Sequence, residues 1–124
     1  MSEETLITYC SPTLAGLKTA SLFCMNYASG KDLVNDLKEL NGRFSEKGLR
    51  FIPLKIREGR VWIYVFRPSC LMRDLENEEA QKILKSLGYP EEASPQFLTE
   101  LFRRMKNEKA FPHEIGLFLG YPAV

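Results

Sequence analysis

With 124 residues, 44% of them hydrophobic and 27% charged, the chain has the size and composition of one globular domain spanning residues 1–124. Its formal net charge of +1 lacks the positive excess of a phosphate-tracking protein, so we do not expect nucleic acid as a partner. No apolar run approaches the roughly 20 residues of a membrane helix, and the acidic start is unlike a signal peptide, so we predict a cytoplasmic protein without a membrane partner.

The first half of the chain alternates short apolar runs with helical patterns. Residues 5–9 are predicted as a strand, Ser11-Pro12 as the start of a short helix over 13–17, and residues 20–25 as a second strand. Apolar residues spaced three and four apart then predict an amphipathic helix over 31–47. Its apolar positions are Leu33, Val34, Leu37, Leu40 and Phe44.

The second half begins with a hairpin pattern. Residues 49–56 are predicted as a strand that Pro53 confines to a sheet edge, and the unbroken apolar run 61–66 as a strand covered on both faces. Helices are predicted at 71–75, at 78–87 with Asn77 as the cap, and from Ser94-Pro95 onward. The last of these would bury Phe97, Leu98, Leu101, Phe102 and Met105.

The four residues LGYP occur twice, at 87–90 and at 119–122. In both copies a glycine just past an apolar helical pattern can adopt the left-handed conformation, and the proline prevents the helix from continuing. Two copies of four residues do not make a structural repeat. We interpret both copies as helix ends.

The order of these elements predicts an α+β fold. The helix between the second and third strands is long enough for a parallel crossover, whereas the third and fourth strands must be antiparallel. We therefore expect a mixed sheet of about four strands with helices packed mainly on one face. The order of the strands is left open.

The first candidate site is the turn from Cys10 to Lys18. A helix that starts at Ser11 would offer free amides near Ser11 and Thr13 to an anion, with Lys18 adding charge. The same helix dipole would lower the pKa of Cys10 and make it a nucleophile. The alternative is that Ser11 and Thr13 only satisfy backbone amides and that Cys10 packs in the core.

The second candidate is FPHEIGLFLGYP, which holds the single histidine, His113. Pro112 and Glu114 suit the first turn of a helix, where a neutral imidazole at His113 would be available as a base or ligand. The alternative is a structural histidine. The third candidate is Arg67, which either lines a crevice at the end of its strand or is solvated.

The cysteines Cys10, Cys24 and Cys70 are odd in number and widely spaced. This pattern fits neither a disulfide framework nor a zinc site. We therefore predict free thiols in a reducing compartment and no metal site; the sequence points to no particular cofactor.

The stretches CSPTLAGLKTASLF (10–23) and FPHEIGLFLGYP (111–122) resemble the hallmark segments of an uncharacterised bacterial family, catalogued as domain of unknown function 3793. The resemblance extends over nearly the whole chain, and it implies no known activity. Members of that family continue beyond the GYP motif, so we expect this chain to be a shortened form. The resemblance also implies that the two stretches meet in space.

Three functions follow as hypotheses. The leading one is a domain that binds a small anionic ligand between the Cys10–Lys18 turn and the His113 helix. The second is a thiol enzyme with Cys10 as nucleophile and His113 as base. The third is a protein-interaction module that self-associates or binds a partner at its C-terminal end. The ligand-binding residues of the first hypothesis are Ser11, Thr13, Lys18, Arg67 and Glu114.

Overall fold

The structure is a computed structural model that describes residues 3–90, 96–107 and 112–121. Its strands are β1 (Ala20–Asn26), β2 (Arg50–Arg57) and β3 (Arg60–Phe66), which form a three-stranded sheet in the order β1-β3-β2. Both outer strands pair with β3 in the antiparallel sense. The α+β class is thus confirmed, but the fourth strand and the mixed sheet are wrong. Strands β1 and β2 run in the same direction, as a crossover requires, with β3 between them.

Six helices accompany the sheet in the described part of the chain. The predicted helices at 31–47, 71–75, 78–87 and after Ser94-Pro95 are confirmed, although residues 91–95 lie outside the described ranges. The helices are α1 (Glu3–Leu14), α2 (Gly30–Phe44), α3 (Pro68–Leu75), α4 (Glu78–Ser86), α5 (Gln96–Asn107) and α6 (Ile115–Phe118), and a 3₁₀ turn at Ser45–Lys47 follows α2.

The central strand β3 carries buried side chains on both of its faces. Ile63 and its neighbours on one face pack with residues of α1 and α2, whereas Tyr64 and Phe66 on the other face pack with residues of α3 to α6. An unbroken apolar strand needs cover on both sides, since its side chains alternate between them. Helices therefore cover both faces, with four of the six described helices on one face and two on the other, where the prediction placed them mainly on one.

Helix α1 replaces the strand predicted over residues 5–9. Leu6, Cys10 and Thr13 are buried and lie on one helical face, because their spacing of four and three residues matches the helical period. Ser11-Pro12 lies in the last turn of this helix and not at a helix start. The helix ends at Leu14, so the helix predicted over 13–17 is also wrong.

Strand β2 is an edge strand, as Pro53 predicted. The outward-facing N–H of Phe51 donates to Oδ1 of Asn41 (2.8 Å), and the carboxamide nitrogen of Asn41 donates to the Phe51 carbonyl (2.9 Å). The register shifts between Pro53 and Lys55. A side-chain amide, a proline and an irregularity together close this edge to further pairing.

Candidate functional site

The Cys10–Lys18 turn lacks the helix start on which the predicted anion site depended. No helix starts at Ser11, whose side chain is exposed in the last turn of α1. Thr13 is buried, and its hydroxyl shares a 2.7 Å hydrogen bond with the hydroxyl of Ser21. The bond between Thr13 and Ser21 therefore helps to pack the end of α1 on β1.

Cys10 is fully buried on the face of α1 that packs against the sheet. Burial raises the pKa of its thiol from 9.0 to about 12, because the thiolate would lose its hydration. A thiolate nucleophile needs the opposite shift. The predicted lowering of the Cys10 pKa by a helix dipole is therefore wrong.

Arg67 has a structural role. Its guanidinium donates three hydrogen bonds to backbone carbonyls: to Thr13 (3.0 Å) and Leu14 (2.8 Å) at the end of α1, and to Lys47 (2.9 Å). The last carbonyls of a helix have no hydrogen-bond donors within the helix, and Arg67 supplies donors to two of them at the end of α1. Three of the five guanidinium donors of Arg67 thus serve the backbone, and the prediction that Arg67 binds a ligand stays untested.

Glu114 is buried as well. Its carboxylate accepts a hydrogen bond from the hydroxyl of Tyr89 (3.0 Å) and lies 3.4 Å from Nη1 of Arg104. The helix begins at Ile115, later than predicted, so Glu114 lies at its N-cap position without a side-chain capping bond. A carboxylate held in this way anchors α6 to the rest of the fold and is not available to a ligand.

The structure does not bring Cys10 and His113 together. Cys10 lies in the core between α1, α2 and one face of the sheet, whereas the segment of His113 packs through Phe118 on the opposite face. The His113 side chain is exposed. A base must reach its nucleophile within hydrogen-bonding distance, so this geometry gives no support to a Cys10–His113 pair.

The two signature stretches nevertheless meet at another place. Lys18 Nζ lies 5.1 Å from the ring centroid of Tyr121, within the range of a cation–π contact. Next to it, the hydroxyl of Thr19 donates a hydrogen bond to the carboxylate of Asp74 on α3. Gly120 lies directly over Thr19, where a Cβ on residue 120 would come within 2.9 Å of the Thr19 Cβ. The absence of a side chain at Gly120 thus permits the close approach.

A cleft of about 380 Å³ opens beside this junction, between the α3–α4 connection and the end of α6. It has polar and apolar walls and one half-exposed aromatic ring, that of Tyr121. The lining residues are Arg73, Asp74, Asn77, Glu79, Ala80, Leu117, Gly120 and Tyr121.

The cleft is lined by one arginine and two carboxylates. Asp74 accepts from Thr19, and Glu79 lies 3.6 Å from the ammonium of Lys82. Arg73 is highly exposed, and its Nε is 3.9 Å from Asp74, which is a loose ion pair. Lys18 lies against Tyr121, which is one wall of the cleft. The guanidinium of Arg73 and the ammonium of Lys18 are therefore the cationic groups beside these walls that could contact an anion.

Lys18 is the one predicted site residue with a contact to a cleft wall, through Tyr121. Arg73 and Asp74 were not predicted, because nothing in the sequence of α3 departs from an amphipathic helix. The repeated LGYP motif did predict a backbone feature correctly. Both glycines adopt left-handed conformations, with φ of 92° at Gly88 and 91° at Gly120, as predicted. Tyr89 is buried, however, whereas Tyr121 is 57% exposed and lines the cleft.

Metal sites and membrane helices can be judged for residues 3–90, 96–107 and 112–121. Among them, no group of three or more histidine, cysteine, aspartate or glutamate side chains is arranged to hold a metal ion. No helix in those ranges is both long and apolar enough to cross a membrane.

Comparison with known proteins gives one match. The model of a family described as "Protein of unknown function (DUF3793)" matches residues 6–124. No curated protein and no solved structure matches the chain. The matched region includes both signature stretches and every residue that lines the cleft.

Proposed function

The chain belongs to the DUF3793 family, as its two signature stretches predicted, and from its own geometry we propose that it binds a small anionic ligand in the cleft beside Tyr121. The observation that carries the proposal is a cleft that has Arg73 and Tyr121 among its lining residues, with Lys18 against the Tyr121 ring. The site differs from the expected one, because Thr13, Arg67 and Glu114 make structural contacts and no helix starts at Ser11. Cys10 is buried on the other face of the sheet from the His113 segment, which gives the thiol-enzyme hypothesis no support.

The size of the cleft suits a small molecule. Its volume of about 380 Å³ lies at the lower end of the range for ligand pockets, which is roughly 300–1,000 Å³. Tyr121 offers a flat apolar surface, and Leu117 adds an aliphatic one. These walls fit a compact ligand with one apolar side.

The charges favour a carboxylate or phosphate group as the anionic part. Arg73 offers a planar set of donors that matches either group, and Lys18 offers an ammonium beside the Tyr121 ring. The carboxylates of Asp74 and Glu79 would accept from hydroxyl or amino groups elsewhere on the ligand. We therefore propose a small hydroxylated or amino-bearing carboxylate or phosphate.

A ligand screen followed by thermal denaturation tests the proposal. Purified protein is mixed with a panel of phosphates, nucleotides, hydroxy acids and amino acids, and Tm is recorded for each. A ligand at a hundred times its Kd is expected to add about 2.7 kcal/mol to the free energy of unfolding. Isothermal titration calorimetry then gives the Kd of any ligand that raises Tm.

Two substitutions locate the binding site. Arg73→Gln removes the charge in the cleft, and Arg57→Gln removes a comparable exposed charge from the β2–β3 hairpin. We expect the first to weaken binding by about tenfold or more and the second to leave it unchanged. A panel that never shifts Tm, or binding that survives Arg73→Gln intact, would contradict the proposal.

A further inference from the structure

The outer edge of β1 has backbone groups that point away from the sheet. At the two ends of the β1–β3 pair, the Arg67 N–H donates to the Thr19 carbonyl and the Tyr27 N–H donates to the Gly59 carbonyl, both at 3.0 Å. Hydrogen-bonding direction alternates along a strand, so the odd-numbered residues of β1 bond to β3. The N–H and C=O groups of Leu22, Cys24 and Asn26 therefore face outward.

These outward groups are accessible at one end of the strand. Ala20 is buried, Leu22 and Cys24 are half-buried, and Asn26 is exposed. Within the described ranges, β3 is the only strand that pairs with β1. The open stretch thus runs from Leu22 to Asn26.

The contrast with the opposite edge is informative. On β2 the outward groups of Phe51 are both bonded by Asn41, Pro53 has no N–H, and the strand carries Arg50 and Lys55. On β1 the sequence ASLFCMN has no charge, proline or glycine, and its register with β3 is unbroken. Exposed, regular, uncharged edges are the ones that recruit another strand.

We propose that β1 pairs with β1 of a second copy of this chain, in antiparallel orientation about a twofold axis at Cys24. This register sets Cys24 opposite Cys24 and Leu22 opposite Asn26 of the second copy. It engages all three open residues, and each hydrogen-bonded pair exchanges two backbone bonds. The two three-stranded sheets become one continuous sheet across the axis.

Side chains beside the outer edge of β1 support a second copy of the chain as the partner. Tyr9 on α1 stacks on Phe23 of β1, with ring centroids 5.4 Å apart and an interplanar angle of 7°, and Tyr9 is still 52% exposed. In the proposed register Phe23 lies opposite Met25 of the second copy, on the same face as Tyr9. Sulfur and aromatic groups make favourable contacts, and no like charges meet across the axis. A self-complementary strand of this kind suits a second copy.

Sedimentation velocity over a range of protein concentrations tests the proposal. The wild-type mass should rise from 14.3 kDa toward twice that value as concentration increases. Cys24→Lys places two ammonium groups at the axis and should raise the dimer dissociation constant by about tenfold or more. Ile56→Lys adds the same charge at the exposed end of the other edge strand and should have no effect.

A second variant distinguishes a loss of dimerisation from a folding defect. Cys24→Pro removes only an outward N–H, so the pairing of β1 with β3 keeps its hydrogen bonds while the dimer loses two at the axis. Far-ultraviolet circular dichroism confirms that each variant folds. A chain that stays monomeric at every concentration, leaving the edge to a strand of another protein, overturns the proposal. A dimer that persists in both Cys24→Lys and Cys24→Pro, when both variants are folded, also overturns the proposal.

Cross-linking checks the register. Residues opposite each other in a hydrogen-bonded pair have Cα atoms about 5.5 Å apart, which is within disulfide range. Copper-phenanthroline oxidation should therefore give a covalent dimer in wild type and in Cys70→Ser, and none in Cys24→Ser. Cys70 is the matched control, since it is also a half-buried free thiol. A cross-link that depends on Cys70 overturns the register.

Discussion

The hydroxyl of Tyr89 donates a 3.0 Å hydrogen bond to the buried carboxylate of Glu114, which joins the first LGYP copy to the second signature stretch. Burial, together with this bond, raises the pKa of Tyr89, so the hydroxyl stays a donor across the physiological range. Arg104 completes the group, with its guanidinium 4.6 Å from the Tyr89 ring centroid. These contacts hold α6 where its end can form the cleft.

Replacement of Glu114 should destabilise the fold. Glu114→Ala leaves both Tyr89 and Arg104 without their partner and is expected to cost about 2–4 kcal/mol. Glu114→Gln keeps an acceptor for Tyr89 and should cost less. Urea unfolding measures both, with Glu39→Gln as a control at an exposed ion pair that should change stability by less than about 0.5 kcal/mol. Equal effects of Glu114→Ala and Glu39→Gln would refute the anchoring role.

Arg67 should matter for stability and not for ligand binding. Arg67→Met removes three donors to carbonyls that end helical segments, and we expect a loss of about 2–4 kcal/mol in the free energy of unfolding. Arg57→Met, at an exposed position, should cost less than about 0.5 kcal/mol. Equal changes in the free energy of unfolding for Arg67→Met and Arg57→Met, measured by urea titration, would refute the structural role of Arg67.

The left-handed Gly120 gives a third stability prediction. Gly120→Ala is strained by its φ of 91° and brings a methyl group within 2.9 Å of the Thr19 Cβ, so we expect a loss of about 1–3 kcal/mol. Gly42→Ala is the matched control, because Gly42 lies within α2 with open space around it. It should add about 0.5–1 kcal/mol. Thermal unfolding of the two variants should therefore shift Tm in opposite directions.

The sequence predicted the parts of the fold in which local pattern and tertiary demand agree. In α2 the three- and four-residue spacing coincides with the buried face at Leu33, Leu37 and Leu40, and Pro53 correctly marked β2 as an edge. The strand prediction for residues 5–9 was wrong because Thr5, Ile7 and Tyr9 are residue types that favour strands. Helix α1 forms there because β1 and β3 need an apolar cover, which Leu6 and Cys10 supply.

The site was harder to predict, because its parts come from distant positions. Thr19, Asp74 and Gly120 meet only after α3 and α6 have docked on the same face of the sheet. No periodicity within one segment encodes such a junction. The signature stretches did indicate that the two ends of the chain converge, but the residues that converge are Lys18 and Tyr121 and not Cys10 and His113.

Thiol labelling gives the most direct test of how Cys10 is placed. At pH 8, iodoacetamide should modify Cys70 in the native protein, because it is half-buried, and should reach Cys10 only after unfolding. Peptide mass spectrometry identifies the modified residue. Fast native labelling of Cys10 would contradict its burial and would restore the thiol-enzyme hypothesis.

The same burial predicts a pH dependence of stability. The folded pKa of Cys10, about 12, lies above its ordinary value of 9.0, so the unfolded chain loses this proton first as pH rises. Stability from the buried thiol is therefore complete below pH 9 and is lost progressively as pH rises toward about 12. Burial also raises the pKa values of Tyr27, Tyr64 and Tyr89, so these tyrosines add to the decline as pH approaches 10. Urea unfolding from pH 8 to 10 should therefore show a decline that is smaller in Cys10→Ala than in wild type and unchanged in Cys24→Ala.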